Sequence, residues 1–199
     1  EISRIGYVDV SSSNPLEILK VSEKPSLEIG KDGTFDENGV FPGHVSKFES
    51  NIYLYYTGFQ LGHKIRYYNF GGLAMSYDNG DSFERYSEVP ILDRSDEGLV
   101  VRAGQSTIKV DNAYISVYSA GSSWVNVGGK QRPFYDIYMQ NSKDGINLNK
   151  SGIKIIECNN RVEHGVGRPQ IIKLRNYFYL FYTRRMIDMQ YQIGYAISK

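Results

Sequence analysis

The sequence predicts an all-β fold in which four-stranded antiparallel sheets repeat around an axis, as in a β-propeller. Three observations lead to this prediction. A Tyr-rich segment recurs at a spacing near sixty residues, Asn-Gly and Asp-Gly turns recur with it, and no segment shows the 3.6-residue apolar period of a helix. Short strands in a radially repeated unit are the plan of a propeller. A two-sheet sandwich is the alternative, and the repeat length disfavours it.

The repeat rests on pairs of predicted strands. Tyr-rich second strands fall at residues 52–58, 114–121 and 178–183, and each follows a small, apolar first strand at residues 39–45, 102–108 and 165–172. When Tyr56, Tyr118 and Tyr182 are taken as equivalent, successive copies lie 62 and 64 residues apart. These first strands are predicted to be the innermost of each blade.

Third strands are predicted at residues 72–78 and 137–144, and similar segments stand near the two ends, at 5–10 and 193–199. Asn79-Gly80 and Asp144-Gly145 follow the interior copies, and such dipeptides favour tight hairpins because their residues tolerate positive φ. The spacing around Asp78 predicts a structural turn in which its carboxylate accepts bonds from backbone amides. Each unit is thus predicted to have four strands.

We therefore expect a single partial propeller domain over residues 1–199. It would comprise the end of one blade (1–38), two blades (39–100 and 101–164) and the start of another (165–199). The half blades at both ends lead us to expect that the chain is a fragment, or that another chain supplies the missing blades.

The composition excludes several classes of protein. A net charge of +1 gives no basic field for nucleic acid, and no apolar run approaches the roughly 20 residues that cross a bilayer, so neither nucleic acid nor membrane is a predicted partner. The single cysteine, Cys158, excludes an intramolecular disulfide framework. With no signal-peptide pattern in this chain, a cytoplasmic location is favoured. The 17 tyrosines suit strands or sugar-facing pockets.

Candidate functional groups lie just before and within the predicted inner strands, because these strands line the axis of a propeller. They form three clusters: Asp36, Glu37 and His44; Asp96, Glu97 and Arg102; Glu163, His164 and Arg168.

Residues 33–42 and the following 53–58 resemble the clan of arabinanases, xylosidases, fructosidases and mannoside phosphorylases. Residues 142–147, and Arg168-Pro169 followed by 179–182, are similar to the same clan, so the resemblance covers nearly the whole chain. It is nearer still to poorly characterised bacterial relatives found with surface-polysaccharide genes. The resemblance implies a five-bladed ring with a sugar-sized axial pocket, in a glycosidase or glycoside phosphorylase that acts on an oligosaccharide or glycan.

Enzymes of this clan use inner-strand carboxylates, and glycoside cleavage needs an acid together with a base or nucleophile. The resemblance implies Glu163 as the acid and Asp36 as the second carboxylate. The structural alternative is that Asp36 shapes its loop and Glu163 is a solvated loop charge. Arg102 stands where the clan would show a carboxylate, which is a departure from the pattern.

Other side chains are candidates for binding. Arg102 and Arg168 suit the forked bonds that guanidinium groups make to carboxylate or phosphate, as in an acidic sugar, or they are salt bridges between blades. His44 and His164 are candidates for substrate contact or for an axial metal ion, and no other cofactor is predicted. Trp124, on a predicted loop, either stacks on a sugar or anchors that loop.

A second function stays open at this point. The missing middle carboxylate and the pair of arginines favour a non-catalytic propeller that binds a sugar or a partner protein.

Overall fold

The computed structural model describes residues 2–188 and 190–199, and in these residues the regular structure consists of strands without helices. The strands are β1 (Val8–Val10), β2 (Ile18–Val21), β3 (Val40–Phe48), β4 (Asn51–Leu61), β5 (Tyr67–Ser76), β6 (Glu84–Arg85), β7 (Val101–Val110), β8 (Ala113–Val127), β9 (Lys130–Ser142), β10 (Ile153–Ile156), β11 (Glu163–Leu174), β12 (Tyr177–Met186) and β13 (Tyr191–Ser198). Within this described part, no helix has the length and apolar character to cross a bilayer.

The strands form blades by antiparallel pairing of neighbours. One blade is β3–β4–β5–β6, the next is β7–β8–β9–β10, and the third contains β11–β12–β13. Short parallel contacts join the blades, from β5 to β7 and from β9 to β11, so that nine strands follow one another in a curled sheet. β1 and β2 form a separate two-stranded sheet. The predicted all-β propeller, with about three blades represented, is confirmed.

The repeated tyrosines explain the glycines of the third strands. Tyr56 on β4 pairs with Gly72 on β5, and Tyr182 on β12 pairs with Gly194 on β13. A Cβ atom added at either glycine would collide with the paired tyrosine ring. In these two blades the small residue leaves room for the ring across the third strand. In the middle blade Tyr118 instead pairs with Tyr138 and stacks on its ring.

Each inner strand contains a β-bulge at the same point of its blade. The register shifts between Pro42 and His44 in β3, between Ala103 and Ser106 in β7, and between Gly167 and Gln170 in β11. A bulge bends a strand and redirects its side chains. The residue pairs on either side of each bulge align the three inner strands. In this alignment Pro42, Gly104 and Arg168 occupy the same position of their blades.

Side-chain bonds hold the inner strands against one another. The Ser46 hydroxyl of β3 donates to the Thr107 carbonyl of β7 at 2.8 Å, and the Ile171 amide of β11 donates to the Ser106 hydroxyl of β7 at 3.2 Å. Three strands that are distant in sequence therefore surround one axis.

The turn after β5 has the predicted structural role. The Asp78 carboxylate accepts the Ser82 amide at 3.0 Å and the Ser82 hydroxyl at 2.6 Å. These bonds lower the pKa of Asp78 to about 2. The residue closes the hairpin and contacts no part of the axis.

Candidate binding site at the propeller axis

A cavity of about 600 Å³ opens where the three inner strands approach one another. Its aromatic lining residues are Phe41, Phe59, Tyr67 and Tyr135, its neutral polar ones include Thr57, Asn69, Ser119 and Gln170, and its charged ones are Arg66, Arg168 and Arg185. A second depression of similar volume, at residues 31–35 and 88–94, contains no residue of the inner strands. The axial cavity is therefore the candidate site.

The aromatic lining comes from β3, β4, β5 and β9. The rings of Phe59 and Tyr67 lie 4.8 Å apart, and Trp124 packs edge-on against Tyr67 at 5.0 Å. The expectation that Trp124 lies on a loop is wrong, because β8 continues to Val127 and pairs with β9 across this region. Trp124 supports Tyr67 from behind, and the Tyr67 ring lines the cavity.

Gln170 is fixed between two blades. Its amide nitrogen donates to the Gly43 carbonyl at 2.9 Å, and its amide oxygen lies 2.8 Å from Nδ1 of His44. Burial lowers the pKa of His44, against the opposing effect of the bond to Gln170. His44 therefore orients a residue of the cavity wall, while Gln170, which the sequence did not single out, reaches the cavity.

The two arginines that the sequence paired occupy different environments. Arg102 is buried, with its Nε donating to Glu97 at 3.0 Å and its other nitrogens donating to the carbonyls of Asp93 and Asn149. Its contacts are those of a structural ion pair within one blade, and it does not line the cavity. Arg168 does line the cavity, so the structure separates the two residues.

Arg66 and Arg185 are cavity residues that sequence reasoning missed. Arg66 precedes β5, and Arg185 lies on β12, two residues beyond Thr183. By the register of the second strands, Arg185 occupies the position of Phe59 in the first blade, and both residues line the cavity. A residue-by-residue alignment of the repeats would have found it.

Asp36 is fully buried away from the cavity wall. Its Oδ2 accepts the Tyr56 hydroxyl at 3.0 Å and Nε of Arg85 at 2.8 Å, and its Oδ1 has no hydrogen-bond partner. The second blade repeats this arrangement, since the Tyr118 hydroxyl donates to Glu97 at 2.7 Å. In these two blades the acid before the inner strand thus anchors the repeated tyrosine of its own blade.

Glu163 is also buried and does not line the cavity. One of its oxygens accepts Nε of Arg184, and the other accepts the Asn159 amide at 2.8 Å. The expectation that Asp36 and Glu163 converge on the axial pocket is therefore corrected. Each carboxylate forms an ion pair behind the wall, and their catalytic roles stay predictions.

His164 is buried next to β9, with Nδ1 3.4 Å from the Pro133 carbonyl. Burial lowers its pKa, and the charges of Arg185 and Arg132 lower it further. Within residues 2–188 and 190–199, no group of three or more His, Cys, Asp or Glu side chains is placed to hold a metal ion. The axial metal stays a prediction.

The fold defines the class of protein: the chain has the β-propeller fold of glycoside hydrolases. A solved glycoside hydrolase superposes with a TM-score of 0.72 at 18% identity, covering 98% of this chain and 56% of that one. A thermostable family-43 glycoside hydrolase gives 0.66 at 17% identity, covering 97% and 67%. A GH32 β-fructofuranosidase from Bombyx mori gives 0.63 at 20% identity, covering 98% and 39%. At these identities the likeness concerns the fold.

In sequence, the chain is similar to two uncharacterized proteins of Mycobacterium tuberculosis. Each is 26% identical over 197 residues, covering 99% of this chain and 64% of the relative. The chain therefore spans 64% of the length of the curated relatives it matches. No protein-family model matches the sequence.

Proposed function

We propose that the axial cavity binds a saccharide and that the protein is carbohydrate-active. The observation that carries this proposal is the lining of the cavity, which combines aromatic rings of the first two blades with neutral polar side chains from all three. A volume of about 600 Å³ lies within the range of small-ligand sites, which are lined mainly by apolar surface with a few placed polar groups.

The chemistry of the wall suits a sugar ring. The faces of a pyranose or furanose carry C–H groups that pack on aromatic rings, as Tyr67 and Phe59 would allow. Sugar hydroxyls both donate and accept hydrogen bonds, and the amides of Asn69 and Gln170 offer both functions. Gln170 is already oriented by His44 and Gly43, so binding would lose little of its side-chain entropy.

Cleavage of a glycosidic bond is the second candidate, and the shared fold with glycoside hydrolases favours it. A variant of the Bombyx mori enzyme has been solved in complex with sucrose, with a TM-score of 0.58 to this chain. Cleavage needs two carboxylates at the bound sugar, and no described residue that lines the cavity is acidic. Binding is therefore the better supported conclusion, and Glu163 and Asp36 remain the proposed carboxylates of the catalytic alternative.

Binding can be tested with an array of neutral and acidic glycans, using the intact protein that carries this chain. Tyr67→Ala removes an aromatic face of the cavity and is expected to weaken the best ligand about tenfold. Tyr86→Ala, at a tyrosine that is half exposed and outside the cavity, is the matched control and should leave binding unchanged. Absence of binding to every glycan, or equal losses in the two variants, would contradict the proposal.

Cleavage is tested by mass spectrometry of the bound glycan after long incubation. If Glu163 acts as the acid, Glu163→Gln should lower turnover by about 100-fold or more. Arg184→Met is the control, since it breaks the same ion pair and leaves the carboxylate in place. Equal losses in both variants would show that only the stability of the blade had changed, and intact glycan with the wild-type protein would select binding alone.

A further inference from the structure

Three arginines line the axial cavity without an acidic partner. Arg66, Arg168 and Arg185 all reach its surface, and within the described residues none of them lies in a salt bridge. The cavity wall itself contains no aspartate or glutamate in that part of the chain. The site is therefore cationic.

Other arginines of the chain are used for stability. Arg85, Arg102 and Arg184 each form an ion pair with a buried carboxylate. Within the described residues, lack of a salt bridge is not special to the cavity, because it is shared by Arg94, Arg132, Arg161 and Arg175 outside the wall. The distinctive feature of the cavity is that three such arginines share one wall, where like charges cost free energy unless an anion is bound between them.

The backbone at Arg168 supports a role in binding. Its φ is +50°, in the left-handed region that is unfavourable for an L-residue and that glycine adopts without this cost. The equivalent position in the preceding blade is Gly104, with φ of +69°. In the part of the chain that the structure describes, four other non-glycine residues with positive φ lie outside the cavity, and they are Glu49, Asn79, Asp111 and Arg175. Arg168 differs from them because it is the one of the five that lines the cavity.

Arg185 adds an unsatisfied donor. Its Nε is buried without a hydrogen-bond partner, and its guanidinium lies 5.5 Å from the centre of the Tyr135 ring. A buried N–H without a partner is costly, and a ligand oxygen would satisfy it. The positive charges of Arg185 and Arg168 act on Tyr135, whose pKa is nevertheless raised by burial.

We propose that the saccharide bound at the axis carries an anionic group, either the carboxylate of a uronic acid or a phosphate ester, which Arg168 and Arg185 hold. Guanidinium groups match the planar, two-oxygen geometry of both anions with forked hydrogen bonds. Arg66 lies on the same wall and adds attraction through its charge. This inference rests on the proposed function, since it assigns the class of saccharide that the cavity selects.

Matched pairs of ligands test it by calorimetry on the intact protein: glucuronate against glucose, and glucose 6-phosphate against glucose. In at least one pair the charged member should bind about 10- to 100-fold more tightly, the range expected for a hydrogen-bonded charge. Arg168→Gln should remove most of that difference and change the affinity for glucose by less than about threefold. Arg161→Gln, which removes the same charge from an exposed residue outside the cavity, should change neither.

Arg168→Gly guards against a folding artefact, because glycine accepts the observed φ without strain. It should lose the preference for the charged ligand as Arg168→Gln does. Equal affinity for charged and neutral members of both pairs would overturn the anionic inference and leave saccharide binding intact. If inorganic phosphate bound as tightly as glucose 6-phosphate, the sugar would contribute nothing to the affinity. That result would overturn the anionic inference and the proposal of saccharide binding together.

Discussion

The buried ion pair between Asp36 and Arg85 gives a direct test of how the first blade is held together. Asp36 is fully buried, and Arg85 on β6 has 21% of its side chain exposed. Replacing Arg85 by Met keeps the length of the side chain and removes the charge. The Asp36 carboxylate would then keep only the bond from the Tyr56 hydroxyl, since its Oδ1 has no partner.

The expected cost follows from this geometry. Removing one partner of a buried ion pair costs about 3–5 kcal/mol, because a desolvated charge is left without compensation. The partial exposure of Arg85 lets water reach the site, so we expect the lower end, about 3 kcal/mol. Asp36→Asn combined with Arg85→Met should be at least about 1 kcal/mol more stable than Arg85→Met alone, because no buried charge remains.

Urea unfolding followed by the fluorescence of Trp124 measures these free energies. Arg4→Met is the matched control, since Arg4 forms a pair with Glu28 at 2.6 Å, against 2.8 Å for Arg85 and Asp36, at the surface, where both side chains are at least 41% exposed. Such pairs contribute about 0–1 kcal/mol. A cost below about 1 kcal/mol for Arg85→Met, or an equal cost for Arg4→Met, would refute the reasoning from burial.

Three further predictions concern the repeat and the cavity. Gly72→Ala should destabilise the protein by about 1–3 kcal/mol, because the added methyl group meets the Tyr56 ring; an unchanged urea midpoint would contradict this. Burial raises the pKa of Tyr118 from its ordinary value of 10 to about 12, so the unfolded chain loses this proton first and stability falls as pH rises from 10 to 12. Urea midpoints over that range should fall less steeply in Tyr118→Phe, and parallel slopes would refute the assignment. Arg168→Gly should leave the free energy of unfolding unchanged or raise it by about 1 kcal/mol, since relief of about 1–2 kcal/mol of strain offsets the greater entropy of unfolded glycine. A loss greater than 1 kcal/mol would show that the side chain, rather than its conformation, matters for stability.

The repeat was readable because it consists of local patterns. Equivalent tyrosines at 56, 118 and 182 recur with small first strands, and each pairing across a short turn needs only neighbouring sequence. The extension of β8 to Val127 was missed because Trp124 was placed on a loop, and the two glycines after β8, Gly128 and Gly129, also suit a loop. In the structure both have positive φ and form the tight turn of a longer hairpin.

The composition of the cavity could not be read in the same way. Arg168 was proposed as a binding residue on the strength of its inner strand, and it lines the cavity. Arg102 was proposed on the same grounds and is buried in an ion pair with Glu97. The register shows that they are not equivalent positions. Arg102 pairs with Ala120 ahead of the bulge in β7, whereas Arg168 lies inside the bulge of β11, where Gly104 is its equivalent. A bulge redirects side chains, and its position cannot be read from the loop-to-strand pattern.

The sequence by itself determined the secondary structure, the order of strands within each blade and the propeller architecture, because these depend on residue periodicity and turn chemistry along short stretches of chain. Only the tertiary structure decided which charged groups meet. It placed Asp36 and Glu163 behind the wall with Arg85 and Arg184, and it left the cavity to arginines. The ion pairs of Asp36 and Glu163 join residues 49 and 21 positions apart, whereas the cavity arginines Arg66 and Arg168 are 102 positions apart. Neither kind of distance is set by local sequence, because each exists only once the strands have assembled around their axis.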